Sequence, residues 1–284
     1  MIRNPLHLTA LLLGVALSAC GEARPPRGDL VLIIAQAPPA TPSPHFEKLA
    51  ASGIVFEGDL LRPGALDASP KTLLSELFTG QRAEQKGGAL YEFRPALPKS
   101  ARLAGYRVLG VTHQEQAIAE LQLENGFDYG LFGATSTDED AESIGATTIS
   151  EGATEALTLL AADYRTLGVR RAPILFFGDL TQSESPAEFE RLLDALSSEL
   201  LVGVSDVTDA TTPTTVLLLF LDPSSPIRAI LAGPDLKAAH KSEGVDPRDI
   251  FPTIARRGQI PARALLKGVN VPSFLAGRNL LDGN

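Results

Sequence analysis

Three stretches of the chain are apolar at nearly every position: DLVLIIA at Asp29–Ala35, APILFF at Ala172–Phe177 and TTVLLLFL at Thr214–Leu221. Unbroken runs of this length, rich in Val, Ile, Leu and Phe, predict strands covered on both faces, as in the middle of a parallel sheet. Shorter extended pieces are expected at Ile54–Phe56, Tyr106–Val111 and Ile227–Leu231. Between them the pattern changes to that of helices. Phe46–Ser52 stops at Gly53, Leu97–Ala104 at Gly105 and Gln114–Leu123 near Gly126, since glycine accepts the backbone that ends a helix. A long helix is expected within Glu142–Leu167, broken or begun near Gly152. Pro186–Glu199 turns Phe189, Leu192, Leu193 and Leu196 to one face, and Pro247–Arg257 is a further helix. Strands alternating with helices predict an α/β fold: a doubly wound, mostly parallel sheet with helices on both faces.

One helix has a chemical as well as a packing reading. In SPKTLLSELFTG, Ser69 suits the N-cap and Pro70 the first helical position, where its missing N–H costs nothing. Leu73, Leu74 and Leu77 make an apolar face and Gly80 stops the helix. A helix N-terminus after a loop can hold an anion or a nucleophile. Ser69 and Thr72 are therefore read two ways: as a cap and a first-turn residue, or as nucleophile candidates.

Composition narrows the partners. The 284 residues are 44% hydrophobic and 21% charged, with a formal net charge of −9, which argues against nucleic acid. The N-terminus carries Arg3 and then an apolar stretch, Leu6–Leu17, shorter than the roughly 20 residues of a membrane span. It ends in Leu17-Ser18-Ala19-Cys20, which resembles a bacterial lipobox and implies lipidation of Cys20, the chain's only cysteine. Gly21 rather than Asp follows, which implies outer-membrane retention, facing the periplasm or the cell surface. The expected organisation is a lipoprotein signal peptide at 1–20, a tether at 21–28 containing Pro25 and Pro26, and an α/β domain at 29–284. The expected partner is the membrane, reached through the N-terminal lipid, with a protein or anionic glycan as a further partner.

Three separated segments, in order, resemble the sulfatase branch of the alkaline phosphatase superfamily. In the first, Thr41-Pro42, Leu49-Ala50, Gly53, Phe56 and Phe78-Thr79-Gly80 fall where that family has its opening strand, the "TPNLDRLAAEGV-F" helix and the nucleophile helix ending in Leu-Thr-Gly. In the second, Arg102–Val108 followed by Gly126-Phe127-Asp128 is similar to "L-AGYRT … GFD". In the third, SSPIRAILAGPDL and VDPRDIFPTIARRGQIP resemble "VPLIIRGPG … VDLFPTLLELAGIP", and GVNVPSFLAG at Gly268–Gly277 resembles the segment after it. Together these cover most of Asp29–Gly277, and the family's C-terminal subdomain is expected to be reduced or absent.

The resemblance implies sulfuric or phosphoric ester hydrolysis at a calcium or zinc centre, because an anionic ester needs cationic neutralisation and a hard cation needs carboxylate oxygens. The implied positions carry other residues. After the first strand stands Ile34-Ala35-Gln36-Ala37, without a carboxylate, and the nucleophile position falls on Pro70. Lys71 supplies positive charge there, while the family's arginine position holds Leu74. Thr112-His113 is a partial echo of the family's Lys and His, Glu184-Ser185-Pro186 replaces its His-Pro, and Leu221-Asp222-Pro223-Ser224 replaces its Ser-Asp-His-Gly. His7, His45 and His240 lie far apart, in the leader, before a helix and in a loop before Pro247. Asp179, Glu184 and Asp222 are the remaining metal-ligand candidates, expected to meet at the C-terminal edge of the sheet or else to sit solvated there. Three functions stay open. One is an envelope protein that has lost catalysis and binds or supports. The second is an ester hydrolase with a non-standard divalent metal site, using Ser69 or Thr72. The third is a binding module for anionic glycans or phosphate groups at the N-terminus of the Ser69 helix.

Overall fold

A computed structural model of the chain describes residues 28–59, 70–80, 96–132, 149–167, 172–182, 186–197, 214–222, 224–260 and 279–281. Cys20, Ser69, Glu184, the TSTDED stretch at 135–140 and the GVNVPSFLAG segment lie outside these residues.

Eight strands form one sheet: β1 (Leu30–Ala35), β2 (Ile54–Phe56), β3 (Arg107–Thr112), β4 (Tyr129–Phe132), β5 (Ile174–Leu180), β6 (Thr215–Phe220), β7 (Ala229–Ala232) and β8 (Ala239–Lys241), in the spatial order 4-3-5-1-6-7-2-8. Neighbours pair in parallel except at β7, which runs against both β6 and β2. The most apolar run, LVLIIA, is central, with β5 and β6 on its two sides. All six of its residues are buried, as a strand covered on both faces requires.

Seven α-helices are described: α1 (Pro44–Ser52), α2 (Pro70–Thr79), α3 (Leu97–Leu103), α4 (Glu115–Glu120), α5 (Ile149–Leu167), α6 (Pro186–Leu196) and α7 (Ile250–Arg257). Alternate residues of β1 sort them into two layers. Leu30, Leu32 and Ile34 pack with Leu74, Leu77 and Phe78 of α2, Leu97 of α3, Ile118 of α4 and Phe251 of α7. Val31, Ile33 and Ala35 pack with Phe46 of α1, Ala153 of α5 and Leu192 and Leu193 of α6. The four inward residues expected on α6 are all buried.

Two strands escaped the sequence pattern. β4 has four residues, one of them Gly130, and β8 is Ala-His-Lys at an edge, so neither has an apolar run. His240, expected in a loop, therefore lies on β8, where its Nδ1 is 2.9 Å from Glu57 Oε1. β5 also runs three residues past its expected end at Phe177. β1 and β3 flank Gly178 in register and keep the backbone paired through Asp179. Gly80 and Gly105 do end their helices as expected, with φ of 64° and 92°.

Candidate functional site

Ligand sites in such sheets form beyond the carboxyl ends of the strands. β1 delivers Gln36 to this edge, β3 delivers Thr112 and His113, β5 delivers Asp179 and Thr181, and β6 delivers Asp222. α2 enters from the same side, placing Lys71 and the half-buried Thr72 in its first turn.

Asp179 is not solvated. It is 2% exposed and held from both sides. Thr112 Oγ1 donates to its Oδ2 at 2.9 Å, while Thr181 donates to Oδ1 through its amide at 2.9 Å and its hydroxyl at 2.6 Å. The Gln114 amide donates to Thr112 Oγ1 at 3.0 Å, so the turn after β3 joins the same network. Burial pushes the Asp179 carboxyl above its ordinary range, against the opposing pull of the Thr181 and Thr112 hydrogen bonds and the nearby His113. Thr181 was not singled out by the sequence and Thr112 only as part of the Thr112-His113 echo, and the clue to the network was a carboxylate two residues past the expected end of an apolar strand.

Asp222 is spent on its own turn. Its Oδ1 accepts from the Ser224 amide at 2.8 Å and from the Ser224 hydroxyl at 2.7 Å, which hold its carboxyl below the usual range. Arg228 Nη1 donates to the Asp222 carbonyl. Gln36, where the resemblance implies carboxylates, donates from Nε2 to the Thr181 carbonyl at 3.1 Å, and its own carbonyl accepts the Asp222 amide at 2.6 Å. The strand ends are thus laced to one another.

A divalent cation does not fit these side chains. Ligand oxygens must lie about 2–2.6 Å from the ion. Asp179 sits on β5 and Asp222 follows β6, with β1 between them, so their strands lie about 10 Å apart. Ile34 pairs with both Asp179 and Leu219, which puts Asp222 three residues further along. The expected meeting of Asp179 with Asp222 does not occur, and Glu184 lies outside the described residues. Among the described residues no three His, Cys, Asp or Glu side chains group in a way that could hold a metal ion.

The burial of Asp179 has a measurable consequence. Its native carboxyl titrates above its unfolded value, so the native state binds its proton first as pH falls. Its contribution to stability is least favourable near neutrality, improves as pH falls through the raised native value and levels off below the unfolded one. Asp179→Asn is expected to match or exceed the parent in urea midpoint near neutral pH and to lose that advantage in mild acid. Asp179→Ala, which strips the acceptor from three donors, should cost about 1–3 kcal/mol at either pH.

A cavity of about 290 Å³ lies beside α2, floored by Leu74, Phe78 and Leu123 and rimmed by Lys71, Lys99 and Glu120. Lys71 Nζ is 2.6 Å from Glu120 Oε2, so its charge is already answered across the mouth.

No family model matches the sequence, and no curated protein matches it. Solved structures do resemble it in fold. The PsFucS1 sulfatase from Pseudoalteromonas sp. superposes with a TM-score of 0.55 at 13% identity, covering 98% of this chain and 77% of that one. A protein in the alkaline phosphatase superfamily from Vibrio parahaemolyticus gives 0.52 at 14%, covering 90% and 70%. The lipoteichoic acid synthase LtaP from Listeria monocytogenes gives 0.51 at 11%, covering 87% and 75%. The chain thus shares its fold with these proteins, which include a sulfatase and a protein in the alkaline phosphatase superfamily.

Proposed function

We propose that this chain is a lipid-anchored protein of the bacterial envelope that keeps a sulfatase-like scaffold, has lost metal-dependent ester hydrolysis, and acts in binding or support. The observation that carries this reading is the rewiring of the strand ends. Gln36 stands where a carboxylate is implied and bonds to the neighbouring strand's backbone, while Asp222 is committed to Ser224. The packing face of α2 is retained and Pro70 occupies the implied nucleophile position. A fold shared at this distance carries no substrate with it, so catalysis is argued from the site alone. Anchoring rests on the lipobox-like sequence before Cys20.

Metal content tests the loss of the centre. The purified protein, dialysed against buffer containing calcium, zinc or manganese and then against metal-free buffer, is expected to retain far less than one equivalent by elemental analysis. One retained equivalent, released by Asp179→Ala or Asp222→Ala, would instead favour an ester hydrolase with a non-standard metal set.

A further inference from the structure

We infer that the cavity beside α2 is a binding site for a small amphipathic anion, an unbranched apolar chain ending in a carboxylate. Neither the lipid anchor nor the loss of the metal centre is needed for it. Lys71, Leu74, Ser75, Phe78 and Thr79 line the cavity. Their spacing is that of one face of a helix, so this wall runs from the first turn of α2 to the last, about 12 Å. Leu74, Phe78 and Leu123 belong to the packed core, so the floor is the outer surface of that core and is preformed. The volume is about 290 Å³. An apolar cavity of about 150 Å³ takes benzene, so there is room here for roughly twice that body. The length of the trough suits a chain of about eight carbons better than fused rings.

The charges lining the cavity leave one cation over. Lys71 Nζ is 2.6 Å from Glu120 Oε2, and Gln116 Nε2 donates to Glu120 Oε1 at 2.9 Å. Both oxygens of Glu120 are therefore engaged. Lys99, exposed on α3, lines the same cavity and pairs with no carboxylate among the described residues. Arg102, one turn further along α3, is already 3.1 Å from Asp128. Glu124 is exposed beside Leu123 but does not line the cavity. Gln122 does line it, and its side-chain amide bonds to no other described residue. An unanswered cation and an amide donor above an apolar floor are the complement of a fatty carboxylate. Gln122 also has a left-handed backbone, with φ of 53°, just past α4, where the Leu123 amide donates to the Ile118 carbonyl at 3.0 Å. Glycine is the usual residue at such a helix end. Gln122→Gly thus deletes the side chain without disturbing the backbone.

Octanoate, titrated calorimetrically into the full chain near neutral pH, is the probe, and nuclear Overhauser effects locate it. A Kd of about 0.1–1 mM is expected, with contacts from the ligand methylenes to the Phe78 ring and the Leu123 methyls. Hexanoate should bind about fifteenfold more weakly, since each buried methylene contributes about fourfold. Dodecanoate should gain little over octanoate, because the cavity is then full. Octylammonium should bind more weakly than octanoate. Lys99→Gln should weaken octanoate by about threefold to fivefold and leave octanol unchanged. Gln122→Gly should weaken octanoate by about fivefold while raising the urea midpoint, so its loss of binding does not come from a loosened fold. Lys48→Gln, on α1 across the sheet, should change neither. Affinity that keeps climbing through dodecanoate, tighter binding of octylammonium, or octanoate bound without contact to Phe78 and Leu123 overturns the inference, as does the absence of binding at millimolar octanoate.

Discussion

Phe78→Ala is expected to lower stability by about 3–5 kcal/mol, a large part of the roughly 5–15 kcal/mol that holds a typical domain together. Phe78 is 1% exposed in the last turns of α2. Its ring meets Phe177 of β5 edge-on at 4.8 Å between centroids and Phe127 at 6.3 Å. Truncation opens a cavity beside the Phe177 and Phe127 rings that the rigid sheet cannot close, and it removes the edge-to-face contacts as well. Thr72→Ala, one and a half turns earlier on the same helix, should change stability far less, since Thr72 is only half-buried. Urea titration of the two variants measures the contrast. If Thr72→Ala proves as costly as Phe78→Ala, the view of α2 as a packing element with a redundant first turn is wrong.

Asp246→Ala should cost a similar 3–5 kcal/mol, by a different route. Asp246 is 4% exposed and accepts from the Arg248 amide at 2.9 Å and from Arg248 Nε at 2.8 Å, with a further contact from Nη2. Its own amide donates to Asp249 Oδ2 at 3.1 Å, a reciprocal cap on the turn that leads into α7. Asp249 in turn has its carbonyl bonded by Thr253 Oγ1, which accepts the Leu280 amide at 3.0 Å. Removing the carboxylate uncaps the turn and takes from the Arg248 guanidinium, 17% exposed at its side chain, the carboxylate it is bonded to, leaving only the charge of Asp249 nearby. Asp246→Asn keeps an acceptor for the cap and should lose less than half as much. Thermal unfolding of the two variants distinguishes cap from charge; equal losses would assign the effect to the charge alone.

The sequence made the fold legible where burial is two-sided and unbroken. β1, β6 and the first part of β5 announce themselves because nearly every position is apolar, and β2 was legible to the residue because Gly53 and the polar residues after Phe56 bracket it. β4 and β8 were not, because short edge strands face solvent and carry no pattern. The candidate site was legible in part. That the residues after β1 hold no carboxylate, and that Pro70 stands where a nucleophile is implied, is plain in the string. The fate of Asp179 is not. Its burial depends on Thr112, 67 residues away in the chain, and on a sheet register that no local pattern encodes. Asp222 shows the converse. Its engagement with Ser224 is local, and an Asp two residues before a Ser in a turn is a known self-capping pattern.

The most direct measurement of the central claim is multiple-turnover hydrolysis of an aryl sulfate and an aryl phosphate ester by the full chain, with calcium, zinc or manganese supplied in turn. The rewired strand ends predict rates equal to buffer with metal, unchanged in Asp222→Ala and Thr72→Ala. Metal-dependent turnover that disappears in either variant would contradict the account and restore the hydrolase reading.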